Sequence, residues 1–411
     1  MKAMHSNNST FISVEEAEKI VLDQVRDYGI EKVNIENAVG RILAEDIVAD
    51  RDFPPFNRVT MDGIAISYNS IEKGINEFRI KNIQTAGEDP HTVIEPEECI
   101  EIMTGASLPF STDTVISYEE IKINNGIATV ETSRITKGQN IHFKGKDKKQ
   151  NSIVLEKGNV IDAISISIAA SVGAIVLSVK KIPNVVVIST GNELVDINTT
   201  PSVTQIRQSN NHLVKASLLK YGIDADLLHI DDNSEFIKKQ LQHCLRLYDV
   251  IIISGGVSMG KFDFIPSSLE ELQVQKLFHK VRQRPGKPFW LGTHANRQLV
   301  FAFPGNPVST FLCLNRYFIP WLEKSLGIKK KKIPYAILNE NISFNPPLHY
   351  FLQVALAFTK EGEIQAIPLE GNGSGDFTNL TESEAFMELP AEQNNFIKGS
   401  RLRIWPFKDL I

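Results

Sequence analysis

The segment Asp249–Phe264, DVIIISGGVSMGKFDF, joins an apolar, β-branched run to a loop rich in hydrogen-bonding groups. The run Val250–Ile253 reads as a strand buried on both faces. It breaks into Ser254, Gly255, Gly256, Val257 and Ser258, with Asp263 beyond. Two adjacent glycines let the backbone turn sharply and approach a ligand closely. The flanking serines set hydroxyls beside the exposed amides. Such a loop suits an anion or phosphate, and Asp263 can accept a hydrogen bond or meet a metal. Gly255–Lys261 has the spacing of a P-loop, but Phe262 stands where a magnesium-binding Ser or Thr belongs, which argues against a nucleoside triphosphatase. A tight turn without a ligand is the plain alternative.

Two further loops carry the same signature. Ser189-Thr190-Gly191-Asn192-Glu193-Leu194 follows the apolar run Val185–Ile188, and Pro304-Gly305-Asn306-Pro307 follows Val300–Phe303. A helix beginning near Ser309 presents free amides at its N-terminus, where an anion fits. Arg284-Pro285-Gly286-Lys287-Pro288 precedes a strand, Phe289–Gly292. If Thr293–Gln298 links that strand to Val300–Phe303 as an antiparallel hairpin, Arg284 and Lys287 lie next to the Pro304–Pro307 turn. Two cations, three amide-rich loops, Glu193 and Asp263 then surround one cleft.

The elements that position these groups alternate. Strands at Val185–Ile188, Asp224–Ile230 and Val250–Ile253 are separated by helices at Asn210–Tyr221 and from Asp231–Ser234 to about Leu245, which implies a parallel sheet with right-handed crossovers. Loops leaving the carboxyl ends of such strands share one edge, the usual ligand floor.

The flanks are different. Ser13 with Glu16 forms a capping box opening a helix that should end near Gly29. Val33–Ala38 is a candidate strand, and Val39–Val48 a short helix or extended segment. Phe78–His142 reads as all-β, with a hairpin at Asn125-Gly126. Two polar residues stand out there: Asp62, which can also simply cap its turn, and Thr104. Lys144, Lys146, Lys148 and Lys149 form a solvated loop or a cationic rim. Ile161–Ala170 reads as a helix. Ser325–Lys332, with four lysines from Lys329 onward, is a linker, and Ala336–Pro406 reads as a small β-barrel-like domain.

The chain has 411 residues, enough for several domains, and a net charge of −5, which gives no argument for nucleic-acid or membrane binding. No run reaches ~18 apolar residues, so no transmembrane helix is expected. The polar start, Met1–Thr10, lacks a signal-peptide core. Three scattered cysteines suit a reducing compartment, and a cytoplasmic location is expected.

These segments together resemble the molybdopterin molybdenumtransferases, to which the C-terminal domain of gephyrin is related. The resemblance rests on Thr60-Met61-Asp62-Gly63, Met103-Thr104-Gly105-Ala106, Ser189–Leu194, Ser254–Ser258 with Asp263, Pro285-Gly286-Lys287-Pro288, and Pro304–Ser309, in that order. It implies a multidomain α/β chain: residues 11–50 with 146–180 as an N-terminal part, 51–145 as an inserted β domain, 181–327 as a three-layer α/β/α molybdopterin-binding domain, and 328–411 as a β-barrel-like domain. It further implies a homodimer and insertion of molybdenum from molybdate into adenylylated molybdopterin, with release of AMP and a requirement for Mg²⁺. The upstream adenylyltransferase is an expected partner.

The resemblance assigns Asp62, Thr104, Glu193, Asp263 and Lys287 to catalysis. Substrate binding falls to Ser189, Thr190, Gly191, Ser254, Gly255, Gly256, Val257, Ser258, Arg284, Gly286, Pro304, Gly305, Asn306, Pro307 and Ser309. Asp62, Asp263 and Asp232 are candidate metal ligands, although Asp232 can equally cap a helix. The chain departs from the family pattern in Ile64 after Met-Asp-Gly, in Asn57-Arg58-Val59 before it, in Arg284 where many relatives have lysine, and in Gln353 where the family often has an arginine that helps hold molybdate. The last departure leaves molybdate against tungstate open. A molybdopterin adenylyltransferase or nucleotide pyrophosphatase on the same fold, and a non-catalytic scaffold, are the alternatives.

Overall fold

A computed structural model describes residues 11–408, apart from 94, 132–133, 259–262, 296, 330–331, 372 and 374. The end of the P-loop-like spacing, Gly260–Phe262, and the polar start Met1–Thr10 lie outside the described residues.

At the centre is a six-stranded sheet in the order Asp226–Ile230, Val185–Thr190, Val250–Ser254, Gln298–Phe303, Trp290–His294, Gln275–His279. The first four strands run parallel, and Trp290–His294 pairs antiparallel with both its neighbours. The hairpin expected between Phe289 and Phe303 is therefore present. Alternation along each strand builds two cores. Val185, Val187, Val250, Ile252 and Phe301 face the helix Asn210–Leu219 and the helical rod that starts at Pro307. Val186, Ile188, Ile251, Ile253 and Val300 face the helices Ser234–Leu247 and Ile265–Glu271. Burial on both faces explains the unbroken β-branched runs, since neither side of the sheet meets water. This is a three-layer α/β/α arrangement.

The Pro307–Cys313 helix passes through a π-helical turn, Leu314–Phe318, into Ile319–Ser325. Against this rod packs the first helix, Val14–Leu22, whose capping box is complete: Ser13 Oγ accepts from Glu16 N and Glu16 Oε2 from Ser13 N. The helix stops at Leu22 rather than near Gly29. Trp321 Nε1 donates to Gln24 O at 2.8 Å and Arg26 N donates to Ser325 Oγ at 3.2 Å, so tertiary partners take the backbone groups that helix would have used.

The strand expected at Val33–Ala38 lies earlier, at Ile30–Asn34, pairing with Val176–Lys180, and Ile35–Asn37 is a 3-10 turn. Val39–Val48 is extended: Gly40, Leu43 and Ala44 donate their amides to Ile161, Asn159 and Ser178. Residues 63–130 contribute a second six-stranded sheet, with a hairpin at Asn125 and Gly126, whose φ values are 47° and 76°. Toward the C-terminus, strands His349–Phe358, Ile364–Pro368, Tyr335–Leu338, Arg401–Pro406 and Ala385–Leu389 close into a barrel, because the last also pairs with the first. A short strand from the α/β layer, Gln283–Arg284, adds to this barrel beside His349–Tyr350. No helix among the described residues is long and apolar enough to cross a membrane.

Candidate active site

The three glycine-bearing loops leave the carboxyl ends of adjacent parallel strands and meet. Asn210, at the start of its helix, donates Nδ2 to Ser254 Oγ at 2.8 Å and to Gly305 O at 2.7 Å. Ser254 Oγ also lies 3.3 Å from Thr310 Oγ1, which donates to Pro304 O at 2.6 Å. Close approach requires the glycines: a Cβ on Gly255 would stand 2.9 Å from Thr190 O, and one on Gly256 would stand 2.7 Å from Ile265 Cγ1. Both also sit at positive φ, 102° and 65°. Thr190 Oγ1 lies beneath them, buried and without a hydrogen-bond partner among the described residues.

On one side of these loops is a group of carboxylates. Ser258 Oγ donates to Asp263 Oδ2 at 2.6 Å, and Asp232 N donates to Asn192 Oδ1 at 3.0 Å. Burial pushes the Asp232 carboxyl above its ordinary range, and the charges of Glu193 and Asp263 push it the same way. Asp232 does not cap the following helix; Asn233 does, accepting from Phe236 N at 3.0 Å. His229 completes this edge, with Nδ1 3.1 Å from Ser189 Oγ and Nε2 3.4 Å from Asp231 Oδ1.

On the other side lies a cavity of about 350 Å³ between the α/β layer and the barrel. Arg284, Gly286 and Lys287 line one wall, Pro304, Asn306 and Ser309 the floor, and Gln353, Leu369 and Gly371 of the barrel the opposite wall. Lys287 Nζ sits 4.7 Å from the centroid of the Phe11 ring and the Arg284 guanidinium 5.9 Å from that of Phe344. Both contacts are cation–π interactions.

Residues 12–173 match the MoeA N-terminal region (domain I and II), 186–324 a probable molybdopterin binding domain, and 335–407 the MoeA C-terminal region (domain IV). A molybdopterin molybdenumtransferase of Synechocystis sp. is 36% identical over 94% of this chain and 98% of its own. One of Staphylococcus epidermidis is 32% identical over 97% and 96%. The chain belongs to the molybdopterin molybdenumtransferase family. A crystal structure of the molybdopterin biosynthesis MoeA protein from Pyrococcus horikoshii OT3 superposes with a TM-score of 0.81 at 26% identity, covering 97% of this chain and all of that one. A second Pyrococcus structure gives 0.82 at 29%. A transferase role in molybdenum cofactor biosynthesis follows.

For a molybdopterin molybdenumtransferase, the placement of the sequence candidates divides in two. The loop residues Ser189–Glu193, Ser254–Ser258 and Pro304–Ser309, with Arg284, Gly286, Lys287, Asp232 and Asp263, gather along one edge of the central sheet and its adjoining cavity. Asp62 and Thr104 do not join them within the chain. They pair with each other on the inserted sheet, where Asp62 Oδ1 accepts from Thr104 N at 2.6 Å and from Thr104 Oγ1 at 2.7 Å. Those bonds hold the exposed Asp62 carboxyl below its usual range. Among the described residues the pair shares no hydrogen bond with the loops above. Sequence reasoning missed Asn210, His229, Thr310 and Gln283. Each is an ordinary polar residue inside a regular element, and its partners are distant in sequence.

Proposed function

We propose that the protein transfers molybdenum from molybdate to adenylylated molybdopterin, releasing AMP and giving molybdenum cofactor. The observation that carries this reading is the Pro304–Asn306 turn, which lines the Arg284–Lys287 cavity and is tied through Asn210 to the Ser254–Ser258 loop. Both reactants are anionic. Backbone amides and the unpaired Thr190 hydroxyl suit the pterin and its phosphates, while Lys287 and Arg284 suit a tetrahedral oxyanion.

The carboxylate side suits Mg²⁺. Burial raises the Asp232 carboxyl, the charges of Glu193 and Asp263 add to the shift, and a hard divalent cation would offset those charges. Asp263 and Asp232 would hold it, with Asp62. When bound, the ion neutralises charge on the pyrophosphate as it splits. Lys287 holds the oxyanion against the diphosphate, the glycine loop orients the phosphates, and Glu193 orients the group that attacks.

The Asp62–Thr104 pair fits this reaction when the chain is a homodimer and the pair of one protomer closes the site of the other. Exposed Ile30, Ile164 and Ile175 supply apolar surface for such an interface. Three unpaired, buried cysteines fit a cytoplasmic setting, with an adenylyltransferase supplying the substrate.

The test is AMP release from adenylylated molybdopterin. It is expected with molybdate and Mg²⁺ together and absent when either is omitted. AMP released without molybdate would instead mark a pyrophosphatase. Consumption of molybdopterin with ATP would mark an adenylyltransferase, and tight binding without turnover a scaffold.

A further inference from the structure

The turn carrying Arg284 and Lys287 is gripped from beneath by two side chains that have essentially no solvent exposure, Gln283 and Tyr317. Gln283 Nε2 donates to Gly286 O at 3.1 Å and rests 3.8 Å from Cys313 Sγ, while Oε1 accepts from the Tyr317 hydroxyl. The carbonyl of Gly286 only accepts, so the amide must present its nitrogen there; the reverse orientation would set two acceptors against each other. That leaves Oε1 to receive the phenol proton. Burial pushes the Tyr317 phenol well above its ordinary value, so it stays a donor.

The turn is pressed tightly onto this pair. Gly286 sits at φ 84°, and a Cβ there would stand 2.7 Å from Gln283 Nε2 and 2.9 Å from Cys313 Sγ. Val281 N donates to Lys287 O at 2.9 Å, fixing the far end. Tyr317 lies on the π-helical turn Leu314–Phe318, a distortion found often at functional sites. Its ring packs on Phe289, 5.1 Å between centroids. An amide and a phenol buried in an aromatic floor carry a desolvation cost that apolar side chains would avoid. What they gain is the orientation of Gly286, the residue before Lys287.

We propose that Gln283 and Tyr317 are positioning residues that hold the Arg284–Lys287 turn so that both cations face the cavity. This rests on the reading of that cavity as the oxyanion site.

Molybdate-dependent AMP release by the full chain tests it. Gln283→Leu is expected to lower kcat roughly 100-fold, the scale of a small misplacement, with KM within about threefold. Tyr317→Phe removes one hydroxyl, keeps the ring, and tests the idea even if Gln283→Leu fails to fold; a fall of about tenfold in kcat is expected. In a Lys287→Gln background, Gln283→Leu should cost clearly less than in the wild type, because one of the two groups it positions has gone. Tyr317→Phe at the wild-type rate while Lys287→Gln is impaired overturns the inference alone. So do losses from Gln283→Leu and Lys287→Gln that multiply. Full activity in Lys287→Gln removes the reading of the cavity and the inference with it.

Discussion

Asn210 joins two loops that are far apart in the chain: a single side-chain amide donates to Ser254 Oγ and to Gly305 O. The bonds tie the Ser254–Ser258 loop to the Pro304–Pro307 turn, whose Pro304 and Asn306 line the cavity. Asn210→Ala would leave the buried Ser254 hydroxyl short of a donor, at a cost of about 1 kcal/mol, while the exposed Gly305 carbonyl turns to water. The expected result is a thermal midpoint lowered by a few degrees and a fall of at least about tenfold in AMP release. Activity that fell no further than stability accounts for would show that the loops keep their register without this bridge.

Gln353 faces Arg284 and Lys287 across the cavity, and its Oε1 lies 3.4 Å from Ser383 Oγ. A neutral amide there offers donors but no charge. Gln353→Arg adds a planar cation that can bind an oxyanion with two parallel hydrogen bonds. The KM for molybdate is expected to fall several-fold, with a steeper dependence on salt. An unchanged KM across a molybdate titration would place the oxyanion elsewhere in the cavity.

The loops were legible because their chemistry is local. Gly255-Gly256 and Pro304-Gly305-Asn306-Pro307 interrupt runs that can only be buried strands, and parallel topology then fixes which edge they share. Residues whose role depends on a distant partner gave no such signal. Gln283 and Tyr317 meet across 34 positions, Asn210 and Gly305 across 95. Asp232 and Asn233 are equally good caps by type, so the sequence leaves Asp232 open between capping and metal binding. The backbone chose Asn233 and turned the amide of Asp232 toward Asn192. The first helix was read too long for a related reason, since the groups that end it, Trp321 and Ser325, lie about 300 residues away.

Arg316 is 1% exposed and joins the first helix to the barrel. Its Nη2 donates to Glu18 Oε2 at 2.8 Å, its guanidinium stacks 4.1 Å from the Trp405 ring centroid, and Nε and Nη1 have no hydrogen-bond partner among the described residues. A buried pair of this kind is asymmetric under mutation. Glu18→Ala strands the cation and should destabilise by about 3 kcal/mol, whereas Arg316→Met replaces it with apolar volume and should cost much less. Denaturant melts of both variants decide the matter. Equal losses would mean that Glu388 and the rings, rather than Glu18, hold the charge.

Glu98 ties the inserted sheet together, and acid releases it. Its side chain is 1% exposed, and Oε1 accepts from Lys81 Nζ at 2.8 Å and from Arg79 Nη2 at 2.9 Å. The Lys81 bond, against the opposing effect of burial and with help from Arg79, draws the carboxyl down to about 2 from 4.5. Between those values the unfolded chain binds a proton that the folded one does not, so stability rises with pH across that window. The contribution is complete above about pH 4.5 and is lost as pH falls toward 2. Glu98→Gln removes the titrating group while keeping an amide oxygen that can still accept from Glu95 N but carries no charge to offset the two cations. Its stability should therefore be lower than wild type at neutral pH and change less between pH 5 and pH 2, about the range of the shift. Chemical denaturation at a series of pH values, followed by the signal of the inserted sheet, reads this directly. Parallel curves for the two proteins would assign the acid sensitivity to another carboxylate.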